Sequence, residues 1–319
     1  NPGSAEVDVP LFARDHLGEA GFAVVGFTDR ANRSTQGSSD PIGDMSRQHL
    51  STLLNQHRWV DSIALIPNME QLAFLRLIEA LETVDVLPVD APDGEPELDT
   101  VAPLSYLGLS NGSNHAVGLL AFAPEISAAA MMVGGGRYFG STTFQEDGRG
   151  NVYDLLIGDF PDVRRSELFV GFAIGQMGVD DKDWLNRAHL LYQDPLGLGS
   201  SKPSVLFSEG LGDSFVPIYS TRAAAAELGL PHLAPVHAVV PFLEEVQGPL
   251  QGNIDAATTG AFYQFVASGI DGLEPSQGCE QQPEGHYCVQ RNPLAVAQRI
   301  HFFVSALSGV PEIIDPLAD

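Results

Sequence analysis

Three residue types that together can make a hydroxyl reactive occur in this chain at positions with suggestive surroundings. The first is Ser110, at the apex of Gly108-Leu109-Ser110-Asn111-Gly112. Leu104, Tyr106 and Leu107 before it suit a short buried strand, and Ala116, Val117, Leu119 and Leu120 after it have the spacing of a helix face. A serine at such a strand-to-helix corner has a strained backbone. Both glycines are expected there because a Cβ would collide with the opposite arm of the turn. The hydroxyl then stands above the sheet beside a helix amino end, where negative charge on a substrate oxygen is stabilised. The second is Asp213, in the turn Gly210 to Pro217 that follows the apolar run Ser204 to Glu209. An aspartate just past the carboxyl end of a strand reaches the rim where parallel strands present their loops. Glu209, four residues earlier beside the same strand end, competes for that role. The third is His286, in Gly285-His286-Tyr287-Cys288, ahead of a helical stretch from about Asn292 to Leu307. Taken singly, a turn aspartate and a loop histidine are ordinary features.

The elements that must position these residues follow from periodicity and turn chemistry. A helix is expected from Pro10 to Ala20, then a buried strand from Phe22 to Phe27. Helices follow at about Ser46 to His57 and Met69 to Thr83, and the acidic, proline-containing run Asp90 to Asp99 reads as a solvated connector. Ala128 to Val133 reads as a strand ending in Gly134-Gly135-Gly136. Residues 137–203 interrupt the rhythm, and the strand at Val205 resumes it. A helix near Ser220 to Leu228 and a strand from His237 to Phe242 are expected next. A long stretch from Leu243 to Gly285 then delivers the histidine.

The order Ser…Asp…His, the Gly-Leu-Ser-Asn-Gly corner and the Gly-Asp-x-x-Val-Pro turn of Gly212 to Pro217 together resemble an α/β-hydrolase of the secreted bacterial lipase/esterase kind. The resemblance runs from about Phe22 to the carboxyl terminus. It implies an α/β fold, a hydrolase sheet flanked by helices, with the core in residues 1–136 and 204–319 and a cap inserted at 137–203. It implies Ser110 as nucleophile, His286 as general base and then acid, Asp213 as the residue orienting the imidazole, and the backbone N–H of Asn111 as an oxyanion donor. Carboxylic ester hydrolysis without a cofactor is the expected reaction, with a serine peptidase or a non-catalytic binding protein as the alternatives. Tyr138, Phe139, Phe144, Phe169, Phe172 and Met177 are candidates to line an apolar pocket in the cap.

Composition bounds these readings. The chain has 319 residues, 44% hydrophobic and 18% charged, enough for one large core. Its formal net charge of −25 disfavours nucleic acid and anionic membranes. No run approaches the roughly 20 apolar residues that span a bilayer. Cys279 and Cys288 bracket His286, nine residues apart. They are expected to form a disulfide that restrains the histidine loop, stabilising by about 3 kcal/mol on the chain-entropy estimate. That points to an oxidising setting, outside the cell or in the periplasm. A metal site built on Cys279, His286 and Cys288 is not expected, for they supply only three ligands.

One expected part is missing. The resemblance implies a central strand between that at Phe22 and that leading to Ser110, followed by a His-Gly or Gly-rich oxyanion loop. The chain has no His-Gly dipeptide, and Gly134 to Gly136 comes after the serine. The expectation is therefore a second chain, the amino-terminal product of the same precursor, supplying that strand and the second donor. In the alternative, the strand near Phe22 takes the central place and Thr28 to Ser39 provides the donor.

Overall fold

The computed structural model describes residues 16–26, 65–85, 93–96, 98, 102–136, 146–147, 150–151, 162–181, 183–198 and 202–317. The helix expected at Ser46 to His57, the part of the Pro10 to Ala20 helix before His16, the loop Thr28 to Ser39, and Tyr138, Phe139 and Phe144 lie outside these residues. In chain order the principal elements are α1 (Ile66–Ala80), β1 (Leu104–Leu109), α2 (Asn111–Leu119), β2 (Ile126–Met132), α3 (Arg165–Val179) and α4 (Leu185–Tyr192). They continue with β3 (Ser204–Leu211), α5 (Ile218–Leu228), β4 (His232–Leu233), β5 (Glu245–Val246), β6 (Leu250–Gln251), β7 (Gly260–Val266), α6 (Gly285–Arg291), α7 (Pro293–Leu307) and β8 (Glu312–Ile313).

Six strands form one sheet in the order β1-β2-β3-β7-β4-β5, every pair parallel. Parallel strands need crossovers, and helices on both faces bury the sheet on both sides. Alternation of side chains then divides the core. Ala129 and Met131 of β2, Val205 and Phe207 of β3, and Phe262 of β7 face the layer made by α1, α2, α4 and α5. Ala128, Ala130 and Met132, Leu206, and Ala261, Tyr263 and Phe265 face α6 and α7. The architecture is thus α/β, a parallel sheet between helical layers, as the sequence leads one to expect.

Several elements differ from the sequence reading. Phe22 to Gly26 forms no strand. The Phe22 ring instead lies 6.2 Å from that of Phe303 on α7, and its backbone N–H donates to Leu17. Among the described residues the sheet therefore ends at β1. The strand expected at His237 to Phe242 is a loop between β4 and β5. Its backbone is satisfied by a side chain, since the N–H groups of His237 and Ala238 donate to Gln264 Oε1 at 3.1 and 2.9 Å, and Phe242 is fully exposed. The unassigned stretch before His286 contains β7, a central strand buried along its whole length.

Within 137–203, the segment 183–198 packs as part of the helical layer rather than over it. Trp184, Leu185, Ala188 and Leu191 join the core formed by α2 and α5. In α3, Phe169, Val170, Ile174 and Met177 are open to solvent, as are Leu196 and Leu198 after α4. Among the described residues no helix is long and apolar enough to cross a membrane.

Candidate active site

β1 delivers Ser110 at the carboxyl rim of the sheet. Ser110 adopts φ 55°, ψ −116°, a conformation that costs on the order of 1–3 kcal/mol and persists only where its surroundings enforce it. The enforcing contacts are specific. The Ser110 N–H donates to Met132 O at 2.9 Å, and Ser113 Oγ lies 2.8 Å from both Gly108 O and Met132 O while accepting from Met132 N at 2.8 Å. A Cβ on Gly108 would sit 2.9 Å from the Tyr106 ring and 3.0 Å from the Gly112 carbonyl, so this position requires glycine. Gly112 is different from expectation: a Cβ there meets nothing within 4 Å. The close approach is of Gly108 onto the Gly112 backbone, and the direction a Gly112 side chain would take is open.

Asn111 begins α2, and its backbone N–H and that of Gly112 have no acceptor among the described residues. These are free donors of the first helical turn, beside the serine, where the helix dipole favours negative charge. The triple glycine follows from packing at the same rim. A Cβ on Gly134 would come 2.2 Å from Ser113 Cβ, one on Gly135 2.2 Å from Ser220 Oγ, and one on Gly136 2.5 Å from Leu185 Cβ.

Two strands away, β3 ends in the turn that carries Asp213. Its Oδ1 accepts from the N–H groups of Phe215 and Val216, each at 2.8 Å, which fixes the carboxylate within its own turn. Its Oδ2 lies 2.8 Å from His286 Nδ1. A carboxylate only accepts, so the ring presents a protonated Nδ1 to Asp213, and Nε2 is the nitrogen turned away from it. Both side chains are almost completely buried. Burial pushes the Asp213 carboxyl above the usual range, opposed by the hydrogen bond and charge of His286 and by the two backbone donors. The Phe215 ring lies against the imidazole at 5.0 Å.

Glu209 is not part of this pair. It projects toward the face of β3 that bears Val205 and Phe207, where Arg222 of α5 pairs with it at 2.9 Å and Gln264 Nε2 donates at 2.7 Å. The histidine helix α6 packs on the opposite face, through Cys288 and Val289. Alternation alone would put residues 209 and 213 on one face. β3 ends at Leu211, the left-handed turn at Gly212 (φ 87°) carries Asp213 away, and His286 meets Asp213. Burial raises the Glu209 carboxyl, with Arg222 holding it down.

Close backbone packing brings α6 to the acid turn. A Cβ on Gly210 would lie 2.1 Å from Gly285 O, and one on Gly285 would lie 2.6 Å from Gly210 O and 2.7 Å from Asp213 N. The Gly285 N–H donates to Gly212 O at 3.1 Å. Glu284 adds a strap that the sequence reading passed over. It accepts from Ser214 N at 2.9 Å and Ser214 Oγ at 2.6 Å, and also from His286 N at 3.2 Å as the N-cap of α6. The signal available was an acidic residue immediately before Gly-His at a helix start.

Cys279 and Cys288 are joined as a disulfide, closing the loop that leads into α6. Ser110 and Asp213 thus follow the carboxyl ends of two parallel strands of one sheet, β1 and β3, and Asp213 is in direct contact with His286. No hydrogen bond joins Ser110 Oγ to the imidazole among the described residues. Those residues also contain no grouping of His, Cys, Asp and Glu arranged to hold a metal ion.

No family model matches the chain, and no curated protein matches it. Among solved structures, it is similar to acetyl xylan esterase 1 from Thermoanaerobacterium sp. JW/SL YS485, with 15% identity, covering 85% of this chain and 68% of that one. The TM-score is 0.36, a likeness too slight to carry an argument about this site.

Proposed function

We propose that this chain is a serine hydrolase that cleaves carboxylic esters through an acyl-enzyme on Ser110. The observation that carries the proposal is the buried Asp213–His286 pair, at 2.8 Å, on the same sheet rim as a serine in a strained strand-to-helix turn. A serine hydroxyl is a weak nucleophile near neutral pH and needs a base held in one tautomer. In the proposed reaction His286 Nε2 takes the proton as Ser110 Oγ attacks the ester carbonyl. Asp213 holds the ring and stabilises the imidazolium. The Asn111 N–H receives the developing oxyanion. The tetrahedral adduct collapses as His286 returns the proton to the leaving alcohol, and water deacylates the serine by the same path. Ser110 Oγ must come within about 2.6–3.2 Å of Nε2 in the substrate complex, a contact that commonly tightens only there.

Exposed Phe169 and Met177 on α3 favour an apolar ester, such as a lipid, as the small-molecule substrate. The buried disulfide supports a secreted, periplasmic or cell-surface location. The proposal retains a second chain beside β1, supplying a strand and the other oxyanion donor. A single native species of 34.0 kDa with full activity would remove that part.

The decisive experiment is labelling by a fluorophosphonate probe. Labelling that disappears in Ser110→Ala is the expected result. Absence of labelling in the native protein overturns the proposal in favour of a hydrolase-like binding protein, the reading that the unmade Ser110–His286 hydrogen bond would then explain. Nitrophenyl esters compared with peptide anilides separate an esterase from a peptidase using the same residues.

A further inference from the structure

The opposite end of α6 from His286 carries a second constellation. Gln290 and Arg291 close that helix, and with Arg299 of α7 they line one side of a cavity of about 270 Å³. Val296, Ile300 and Phe303 continue that wall along the same face of α7 as Arg299, and His16, Leu17 and, on β1, Leu107 complete the lining. Arg299 is only 6% exposed. Its guanidinium donates to Val289 O at 2.9 Å and Gln290 O at 3.2 Å, two carbonyls left open at the end of α6. A guanidinium has five N–H donors, so more remain, and among the described residues no carboxylate pairs with this one. Burial without a compensating anion lowers its pKa to about 10. Beside it, Gln290 Nε2 is buried and has no acceptor. In a chain with 41 acidic and 16 basic residues, a buried cation without an acidic partner is an exception.

We propose that this cavity binds a small carboxylic acid with a short aliphatic tail. The carboxylate accepts from Arg299 and Gln290 Nε2, and the tail lies against Val296, Ile300 and Phe303. The planar guanidinium matches a carboxylate in geometry as well as charge, and the bound anion satisfies donors otherwise costly to bury. Arg291 stands at the edge, its guanidinium 4.9 Å from the Tyr287 ring centroid. The volume lies near the lower limit of about 300 Å³ for small-molecule sites, which favours a short acid over a long-chain lipid. A ligand held by residues 290 and 299 grips the end of the helix whose first turn holds His286. The binding itself does not depend on the proposed hydrolysis.

The test is calorimetric titration of the native protein with acetate, butyrate and hexanoate at constant ionic strength. Chloride, sulfate and neutral butanol are the comparison ligands. A Kd of about 1 mM for butyrate is expected, tighter than for acetate, with no binding of butanol. Gln290→Leu is expected to weaken butyrate about fivefold. Ser110→Ala is expected to leave butyrate binding unchanged, which separates this site from the candidate active site. Arg299→Met should abolish binding, but Arg299 also caps α6; Arg299→Lys keeps a cation there and should weaken binding in a folded protein. Chloride or sulfate binding as tightly as butyrate overturns the proposal, as does failure of every carboxylate to bind. Butyrate binding indifferent to both Gln290→Leu and Arg299→Lys does the same.

Discussion

Gly210 and Gly285 cross backbone against backbone, so that a Cβ on the first would fall 2.1 Å from the carbonyl oxygen of the second. This crossing sets the distance between β3 and α6, and hence between Asp213 and His286. Neither backbone can yield without moving one of the two side chains. Gly285→Ala and Gly210→Ala are each expected to lower kcat about 100-fold or more, since misplacement by about 1 Å costs that much. Both should also lose about 1–3 kcal/mol of stability through overpacking. Steady-state kinetics beside denaturant unfolding would check both effects, and Gly112→Ala, with open space around its Cβ, is the control expected to perturb packing little.

The two buried carboxylates near the end of β3 should separate cleanly by substitution. Asp213→Asn is expected to reduce kcat by about 10⁴, because an amide no longer selects the Nδ1-protonated tautomer. Glu209→Gln leaves Arg222 without its anion and is expected to cost about 3 kcal/mol of stability while kcat changes far less. A larger kcat loss in Glu209→Gln than in Asp213→Asn would refute the assigned roles.

Glu284 ties the acid turn to the start of the histidine helix through Ser214 and the His286 N–H. Glu284→Ala is expected to lower kcat about 10- to 100-fold with KM little changed, since it touches no substrate in the proposed mechanism. Glu284→Gln retains one acceptor and should recover part of the loss. Equal stability of the two variants with unequal kcat would identify positioning as its role.

Replacing Cys279 and Cys288 together by serine is expected to destabilise the fold by about 3 kcal/mol, read as a lowered urea midpoint. The effect should be matched by reducing agent acting on the native protein. Because the loop enters α6 just before His286, activity should fall at temperatures below the global unfolding transition.

His232 gives the acid limb of stability a specific origin. Its ring is buried against Phe262, and burial with the nearby Arg222 charge lowers its pKa from 6.5 to about 4. The unfolded chain therefore binds this proton between pH 6.5 and 4 while the folded chain does not. The contribution of His232 is complete above pH 6.5 and is lost progressively as pH falls toward 4. Urea unfolding across that interval should show a shallower decline for His232→Gln than for the parent protein. A parallel decline in the two would exclude His232 as the source.

By itself the sequence determined what is local. The corner at Ser110, the strand and turn running into Asp213, the α5 and α7 helices and the nearby cysteines were legible because spacing and turn chemistry act over a few residues. The same local reading assigned a strand to His237 to Phe242, since Val239, Val240 and Phe242 resemble one. Only the Gln264 side chain, 26 residues from Ala238 and bonded to its backbone, shows why a loop forms there. It also missed β7, although Ala261 to Val266 is apolar apart from Gln264 and of strand length. What only the tertiary structure decided is which groups meet: Asp213 rather than Glu209 with His286, Glu284 with Ser214, and the glycine crossing beneath them. Those choices depend on the left-handed turn at Gly212 and on contacts between residues some 70 positions apart. Close packing sets such contacts, and it becomes defined only when both faces of the sheet are covered.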